Sequence, residues 1–192
     1  MAGMNEPLLL SFASATLWER WLFAHHDQID GLWIRMAKKA SGIASVTHDE
    51  ALDVALCYGW IDGQRKSADD RQYFLQKFTP RRSKSLWSKR NIEKVTALTA
   101  AGKMQPAGLA EVEAARQDGR WAVAYDSPKN MVVPEDFLQA LAENAHAQAH
   151  FDTLGRSNQY SIAWRLQTAK KPETRKRRFD ALLAMLANGE FR

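Results

Sequence analysis

Cysteine is nearly absent from this chain: Cys57 is the only one among 192 residues, so no internal disulfide can form. A single thiol is typical of proteins in a reducing compartment. Long apolar runs are absent too, since no segment reaches the about 18 consecutive apolar residues that mark a membrane-spanning helix. The first residues lack the basic stretch and apolar core of an export signal. We therefore expect a cytoplasmic protein without a membrane span.

Signatures of known catalytic and cofactor-binding sites are missing as well. The sequence contains no phosphate-binding Walker loop, dinucleotide glycine fingerprint, nucleophile elbow or kinase signature. Two histidine pairs, His25–His26 and His146–His150, lack the further ligands that a zinc site requires. We therefore expect no cofactor and no metal, and no residue can be assigned a catalytic role. The sequence leaves open whether the protein is an enzyme, and we favour a protein without enzymatic activity.

Apolar residues recur at helical spacing through most of the chain, and typical boundary residues accompany them. Ser14 fits the N-cap of a helix over 15–25, and Thr47 with Glu50 forms a capping-box pattern before the next helix. Gly59 is placed to end that second helix, and Pro106 fits the first residue of a later one. Helices therefore account for most of the predicted secondary structure.

Strand signals are confined to the first half of the chain. Bulky residues at 32–38 predict a strand, and the runs 60–66 and 71–78 on either side of the polar turn 67–70 predict a β-hairpin. The expected fold is α+β and predominantly helical, with a small antiparallel sheet of about three strands and then a helical C-terminal region.

An irregular connector within residues 120–133, around Asp126-Ser127-Pro128-Lys129-Asn130, suggests where the chain divides. We place an α+β region with the basic hairpin at 1–125 and a helical region at 126–192, unless the two pack as one domain.

Positive charge is concentrated in one segment. Lys and Arg outnumber Asp and Glu by 27 to 22 over the chain, and residues 60–90 hold nine basic and three acidic residues. Arg offers phosphate or carboxylate a planar fork of donors and Lys a mobile charge, so the segment suits anion binding, while its tryptophans could stack on a base or ring. The candidate ligand-binding residues are Trp60, Asp62, Arg65, Lys66, Lys77, Arg81, Arg82, Lys84, Trp87, Lys89 and Arg90.

Three functions are compatible with this segment. The first is a non-enzymatic protein that binds an anionic ligand, either a phosphate-rich molecule or nucleic acid. The second is an enzyme acting on a small anionic metabolite, with Asp62 as acid or base beside Arg65 or Arg81. The third is a module that binds another protein, for which an exposed apolar patch would be needed. A solvated surface, or pairing with acids elsewhere on the chain, is the alternative explanation and the commoner one for a basic run; the sequence leaves the oligomeric state open.

A second basic cluster lies at 170–178, at the start of the last predicted helix. Cations at a helix N-terminus oppose the helix dipole, which is compatible with an anionic partner. A salt-bridged surface is the interpretation that we favour for this cluster.

Several sequence blocks, taken together, are typical of one known protein family. They are EALD at 50–53, CYGWIDG at 57–63, FTPRR at 78–82, WSKRN at 87–91, MQPAG at 104–108 and AKKPETR at 169–175. With these blocks the chain, from about residue 18 to 190, resembles the YdeI/OmpD-associated (OmdA-like) family of bacteriocin-protection proteins. The resemblance implies a role in resistance to bacteriocins or cationic antimicrobial peptides, in association with an outer-membrane porin. It brings no catalytic or ligand residues with it.

Overall fold

The computed structural model describes residues 8–28, 30–126, 130–169 and 171–191, and within these ranges the chain forms eight α-helices and four β-strands. These residues divide into two compact units. Unit 1 is built from the described residues of Met1–Trp87 and Asn91–Val123, and unit 2 from those of Ser88–Arg90 and Ala124–Arg192. The predicted domain division at 125/126 stays a prediction, and Ser127, Pro128 and Lys129 of the predicted connector lie outside the described residues.

Unit 1 holds all four strands of the described chain, so the predicted α+β class with a helical C-terminal region is confirmed. Its elements are β1 (Leu9–Leu10), α1 (Ala15–His25), β2 (Leu32–Ala37), α2 (His48–Cys57), β3 (Trp60–Ser67), β4 (Tyr73–Pro80), α3 (Lys89–Ala100) and α4 (Pro106–Gln117). Only the part of α3 from Asn91 onward belongs to unit 1.

The boundaries of these helices follow the local signals. The Ser14 side chain accepts from the Leu17 amide, and the capping box of Thr47 and Glu50 is formed in both directions. Gly59 follows α2 with a φ of +74°, a conformation that favours glycine. The predicted starts and ends of α1 and α2 are therefore confirmed.

The sheet has the strand order β1-β2-β4-β3, with β1 parallel to β2 and the other two pairs antiparallel. The predicted hairpin is confirmed as β3 and β4, but the sheet has four strands and is mixed, where about three antiparallel strands were predicted. The added strand, β1, spans only two residues, too few to produce an alternating pattern. Leu32 pairs with Phe78 and Trp33 with Lys77, so alternation places the first pair on one face of the sheet and the second on the other.

Aromatic rings fill the core of unit 1. Trp18 is fully buried, and its ring centre lies 5.7 Å from that of Phe78 and 6.2 Å from that of Trp60. The indole N–H of Trp18 donates to the Ala51 carbonyl at 3.0 Å, and that of Trp60 donates to the His26 carbonyl at 2.9 Å. Because both buried donors are satisfied, the two rings stabilise the core without an unpaired polar group.

Unit 2 is helical throughout its described elements. They are α5 (Glu135–Ala142), α6 (Ala145–Thr153), α7 (Arg156–Gln167) and α8 (Pro172–Ala187). Among the described helices of the whole chain, none is both long enough and apolar enough to cross a membrane. The buried core of unit 2 is built mainly from Phe137, Leu141, Phe151, Ile162, Leu166, Leu182 and Leu186.

The second basic cluster lies at the start of α8 and is partly salt-bridged, as the sequence favoured. Arg175 binds Asp136 at 2.7 Å, and Lys176 binds Asp180 one helical turn further along at 2.6 Å. Lys170 of this cluster lies outside the described residues.

Candidate anion-binding site

A groove at the turn end of the β3–β4 hairpin, which we call the hairpin groove, is lined by four basic side chains. Its volume is about 430 Å³, large enough for a small organic phosphate. It brings together the end of β2, the end of β3 and the start of β4. Its lining includes four cations, two aromatic rings and two hydroxyl groups, from Lys38, Arg65, Lys66, Arg71, Phe74, Tyr73 and Ser67.

The acids that the structure describes near the hairpin groove form no salt bridge with its cations. Among the residues that the structure describes, none of the four forms a salt bridge, and no carboxylate lines the groove. The two acids of the nearby turn, Asp69 and Asp70, line an adjoining groove with Arg35 and Leu75, which shares Ser67 and Ala68 with the hairpin groove. Asp70 binds Arg35 there at 3.3 Å. Asp70 also accepts a hydrogen bond from the Gln72 amide at 2.8 Å, so its carboxylate stabilises the turn.

Two of the groove cations are held in place by aromatic rings. The guanidinium carbon of Arg65 lies 3.7 Å from the centre of the Phe74 ring, and the Lys66 ammonium lies 4.7 Å from that of Trp33. Such contacts are attractive because the ring face is electron-rich. They also restrict long, flexible side chains, which lowers the entropy that a ligand would have to remove on binding.

Basic residues continue from the hairpin groove onto the face of the sheet that carries Trp33. Register places Lys66 opposite Leu75 and Lys77 opposite Trp33, so both lysines are on this face. The Lys77 ammonium lies 6.0 Å from the centre of the Trp33 ring, whose other cationic neighbour is Lys66. Lys66 therefore belongs to both surfaces. This face of the sheet carries Trp33, Arg35, Lys66, Leu75 and Lys77, and we call it the second sheet face.

Three of the predicted ligand residues are buried in unit 1, away from the groove. Trp60 and Trp87 are each only 1% exposed, so neither ring is accessible for stacking on a ligand. Arg81 is 7% exposed, with its guanidinium carbon 3.6 Å from the centre of the Trp87 ring. Its Nη1 donates to the Leu86 carbonyl at 3.4 Å. Arg81 and Trp87 therefore stabilise the loop that follows β4, whereas Trp60 belongs to the core.

The remaining predicted cations are divided between the two units. Arg82 and Lys84 are exposed in the loop after β4 and do not line the hairpin groove. Lys89 and Arg90 belong to unit 2, where Lys89 forms a salt bridge with Asp126 at 2.9 Å. Of the predicted site residues, the structure therefore brings together only Arg65 and Lys66 in the groove, with Lys77 beside them on the second sheet face.

Asp62, the predicted acid or base of an enzyme, has a different partner from those that the sequence suggested. Its Oδ2 lies 3.1 Å from Nε2 of His48, and both side chains are partly buried. Arg65 instead packs on Phe74, and Arg81 packs on Trp87. Asp62 also lies outside the hairpin groove, so the described contacts do not favour the enzyme alternative.

Sequence reasoning did not name four of the residues that shape the basic surface: Lys38, Arg71, Tyr73 and Phe74. Arg71 was counted in the basic segment, and its place beside the turn was the one signal that could have selected it. Lys38 reaches the groove because its amide donates to the Gln72 carbonyl at 2.8 Å, extending the β2–β4 pairing. That pairing joins strands far apart in sequence, so no local pattern reveals it.

Cys57 lines a second groove, of about 500 Å³, together with Glu19 and Asp53. Burial has the largest effect on the pKa of the thiol, and the carboxylates of Glu19 and Asp53 add to it. The pKa is raised to about 11. The thiol therefore stays protonated at neutral pH and is not a nucleophile there.

The fold and the groove define an α+β protein with a basic, ring-supported hairpin. Residues 10–111, more than half of the chain, match the family model described as "Domain of unknown function (DUF8412)", and the chain belongs to that family. Residues 130–189 match the family model described as "Bacteriocin-protection, YdeI or OmpD-Associated", which confirms the resemblance predicted from the sequence over that part of the chain. Neither the curated proteins nor the solved structures include a significant match.

Proposed function

We propose that this protein binds a phosphate-bearing anionic ligand in the hairpin groove and does not convert it chemically. The observation that carries the proposal is the set of four groove cations, Lys38, Arg65, Lys66 and Arg71, without a carboxylate partner among the described residues. Arg35, immediately beside them, does have one in Asp70. The groove therefore carries a local excess of positive charge.

Physical chemistry favours an anion in such a groove. Like charges held close together repel one another, and a phosphate group relieves this repulsion while accepting charge-assisted hydrogen bonds. Arg65 offers a planar fork of donors, and Ser67 and Tyr73 bring hydroxyl groups to the same groove. The net charge of +5 would also speed the approach of an anionic ligand.

We further propose that this binding takes place in the cytoplasm and contributes to stress or bacteriocin resistance. The description of the second matching family as "Bacteriocin-protection" supports the link to bacteriocins. A protein with a net charge of +5 is not expected to attract a cationic peptide by charge. We therefore attribute this role to an anionic ligand bound in the hairpin groove and not to direct binding of a cationic peptide.

Binding should depend steeply on salt. We expect a fluorescently labelled oligouridylate of about 10 nucleotides to bind, with the logarithm of its affinity falling by at least about 3 for each tenfold rise in salt, since the four groove cations would each displace counterions from single-stranded nucleic acid. Fluorescence anisotropy between about 50 and 200 mM salt measures this slope, and the expected loss over that range is at least roughly 60-fold. An affinity that changes by less than about twofold over the same range would contradict an electrostatic site.

A further inference from the structure

We infer that the ligand is a single-stranded nucleic acid that runs from the hairpin groove onto the second sheet face, an inference that rests on the proposed function. Two observations carry it: the basic strip is elongated, and a ring-backed guanidinium lies within it. The first indicates a linear polyanion, whereas the second indicates that the polyanion carries flat rings.

Lys66 joins the hairpin groove to the second sheet face. This lysine lines the hairpin groove with Lys38, Arg65 and Arg71, and it also shares the Trp33 ring with Lys77 on the second sheet face. Lys77 follows Tyr73 by four positions along an extended strand, a distance of about 13 Å. None of these five cations forms a salt bridge within the described ranges of the chain. A compact phosphate would leave Lys77 unused, whereas a chain of phosphates would reach it.

Arg65 provides the means to recognise bases. One face of its guanidinium is directed toward Phe74 at 3.7 Å, so the opposite face is turned outward, and Arg65 is exposed. Unpaired bases stack on guanidinium planes of this kind, while the edge N–H groups of the same side chain remain able to bind a phosphate. In a duplex the base faces are covered by neighbouring base pairs, so this contact selects a single strand.

Three probes of different chemistry separate the contributions of charge and stacking: an oligouridylate of about 10 nucleotides, an abasic oligomer of the same length, and inorganic tripolyphosphate. Arg65→Lys keeps the charge and removes the planar guanidinium. Lys77→Gln removes the charge on the second sheet face and retains part of the aliphatic stem against Trp33. Circular dichroism melting verifies that each variant is folded.

The unchanged protein should bind the oligouridylate at least about fivefold more tightly than the abasic oligomer, the gain expected from one stacked base. Arg65→Lys should remove most of that difference, because it should weaken oligouridylate binding more than binding of the abasic oligomer or of tripolyphosphate; the charge is preserved, and the stacking surface is lost. Lys77→Gln should lower the salt slope for both oligomers by about 0.7, with tripolyphosphate binding unaffected.

Equal affinity for the oligouridylate and the abasic oligomer, or an Arg65→Lys variant that retains the full difference, would overturn the assignment of a nucleic acid. Tripolyphosphate binding would then still support an anion site in the hairpin groove. Failure of all three probes to bind would overturn the proposed function itself, and this inference with it.

Discussion

Replacing both Arg65 and Arg71 with alanine is expected to weaken binding of a phosphate-bearing probe by at least about tenfold. Each arginine can donate charge-assisted hydrogen bonds to phosphate, and each such bond contributes about 1.5 kcal/mol or more. The double substitution halves the number of cations in the hairpin groove and leaves Lys38 and Lys66. Fluorescence anisotropy with labelled oligouridylate, or isothermal titration calorimetry with tripolyphosphate, measures the loss.

The matched control is Arg82→Ala with Lys84→Ala. These substitutions remove the same charge from an exposed loop that does not line the hairpin groove. They should weaken binding by less than about threefold, since only a screened, longer-range attraction is lost. If the control pair reduced affinity as much as Arg65→Ala with Arg71→Ala, binding would depend on overall charge, and the groove would have no special role.

Gly108→Ala should strongly destabilise unit 1. An added Cβ at this position in α4 would lie 2.2 Å from the Cys57 carbonyl oxygen and 2.7 Å from that of Leu56, so α4 could not remain packed on the end of α2. The obstacle is backbone and cannot rotate away, as a side chain could. We expect the free energy of unfolding to fall by about 3 kcal/mol, the upper range for overpacking a close contact. Urea denaturation followed by tryptophan fluorescence measures it.

Gly155→Ala offers a matched change in a different setting. A Cβ at Gly155 would meet no atom within 4 Å, and its φ of −66° suits any residue. As the N-cap of α7, it should lose no more than about 0.5 kcal/mol on replacement. Comparable stability of the Gly108→Ala and Gly155→Ala proteins would show that the α2–α4 contact is less tight than the geometry indicates.

Local features of the fold could be predicted because their signals lie within a few residues of one another. The capping box at Thr47 and Glu50 begins α2, Pro106 begins α4, and the polar turn joins β3 to β4. Each of these features is decided by hydrogen bonds and backbone conformations near in sequence. The hairpin, and with it the position of Arg65 and Lys66, followed from the same kind of pattern.

The composition of the basic surface could not be predicted, because it depends on contacts between distant segments. Lys38 reaches the groove through the pairing of β2 with β4, and Trp33 meets Lys66 and Lys77 only across the assembled sheet. Burial was equally hidden: Trp87 and Arg81 follow a basic, polar pattern in sequence, yet they pack on each other in the interior of unit 1. A run of basic residues therefore indicates the presence of charge and not which charges share a surface.

Amide chemical shifts of the labelled protein during titration with tripolyphosphate test the hairpin groove most directly. The largest changes should fall on Lys38 and on residues 65–68 and 71–74, which form the groove and its rim. Residues 82–90 should change little, although they belong to the same basic segment of the sequence. Changes centred on 82–90 or on α8, with the hairpin turn unmoved, would contradict a binding site in the groove.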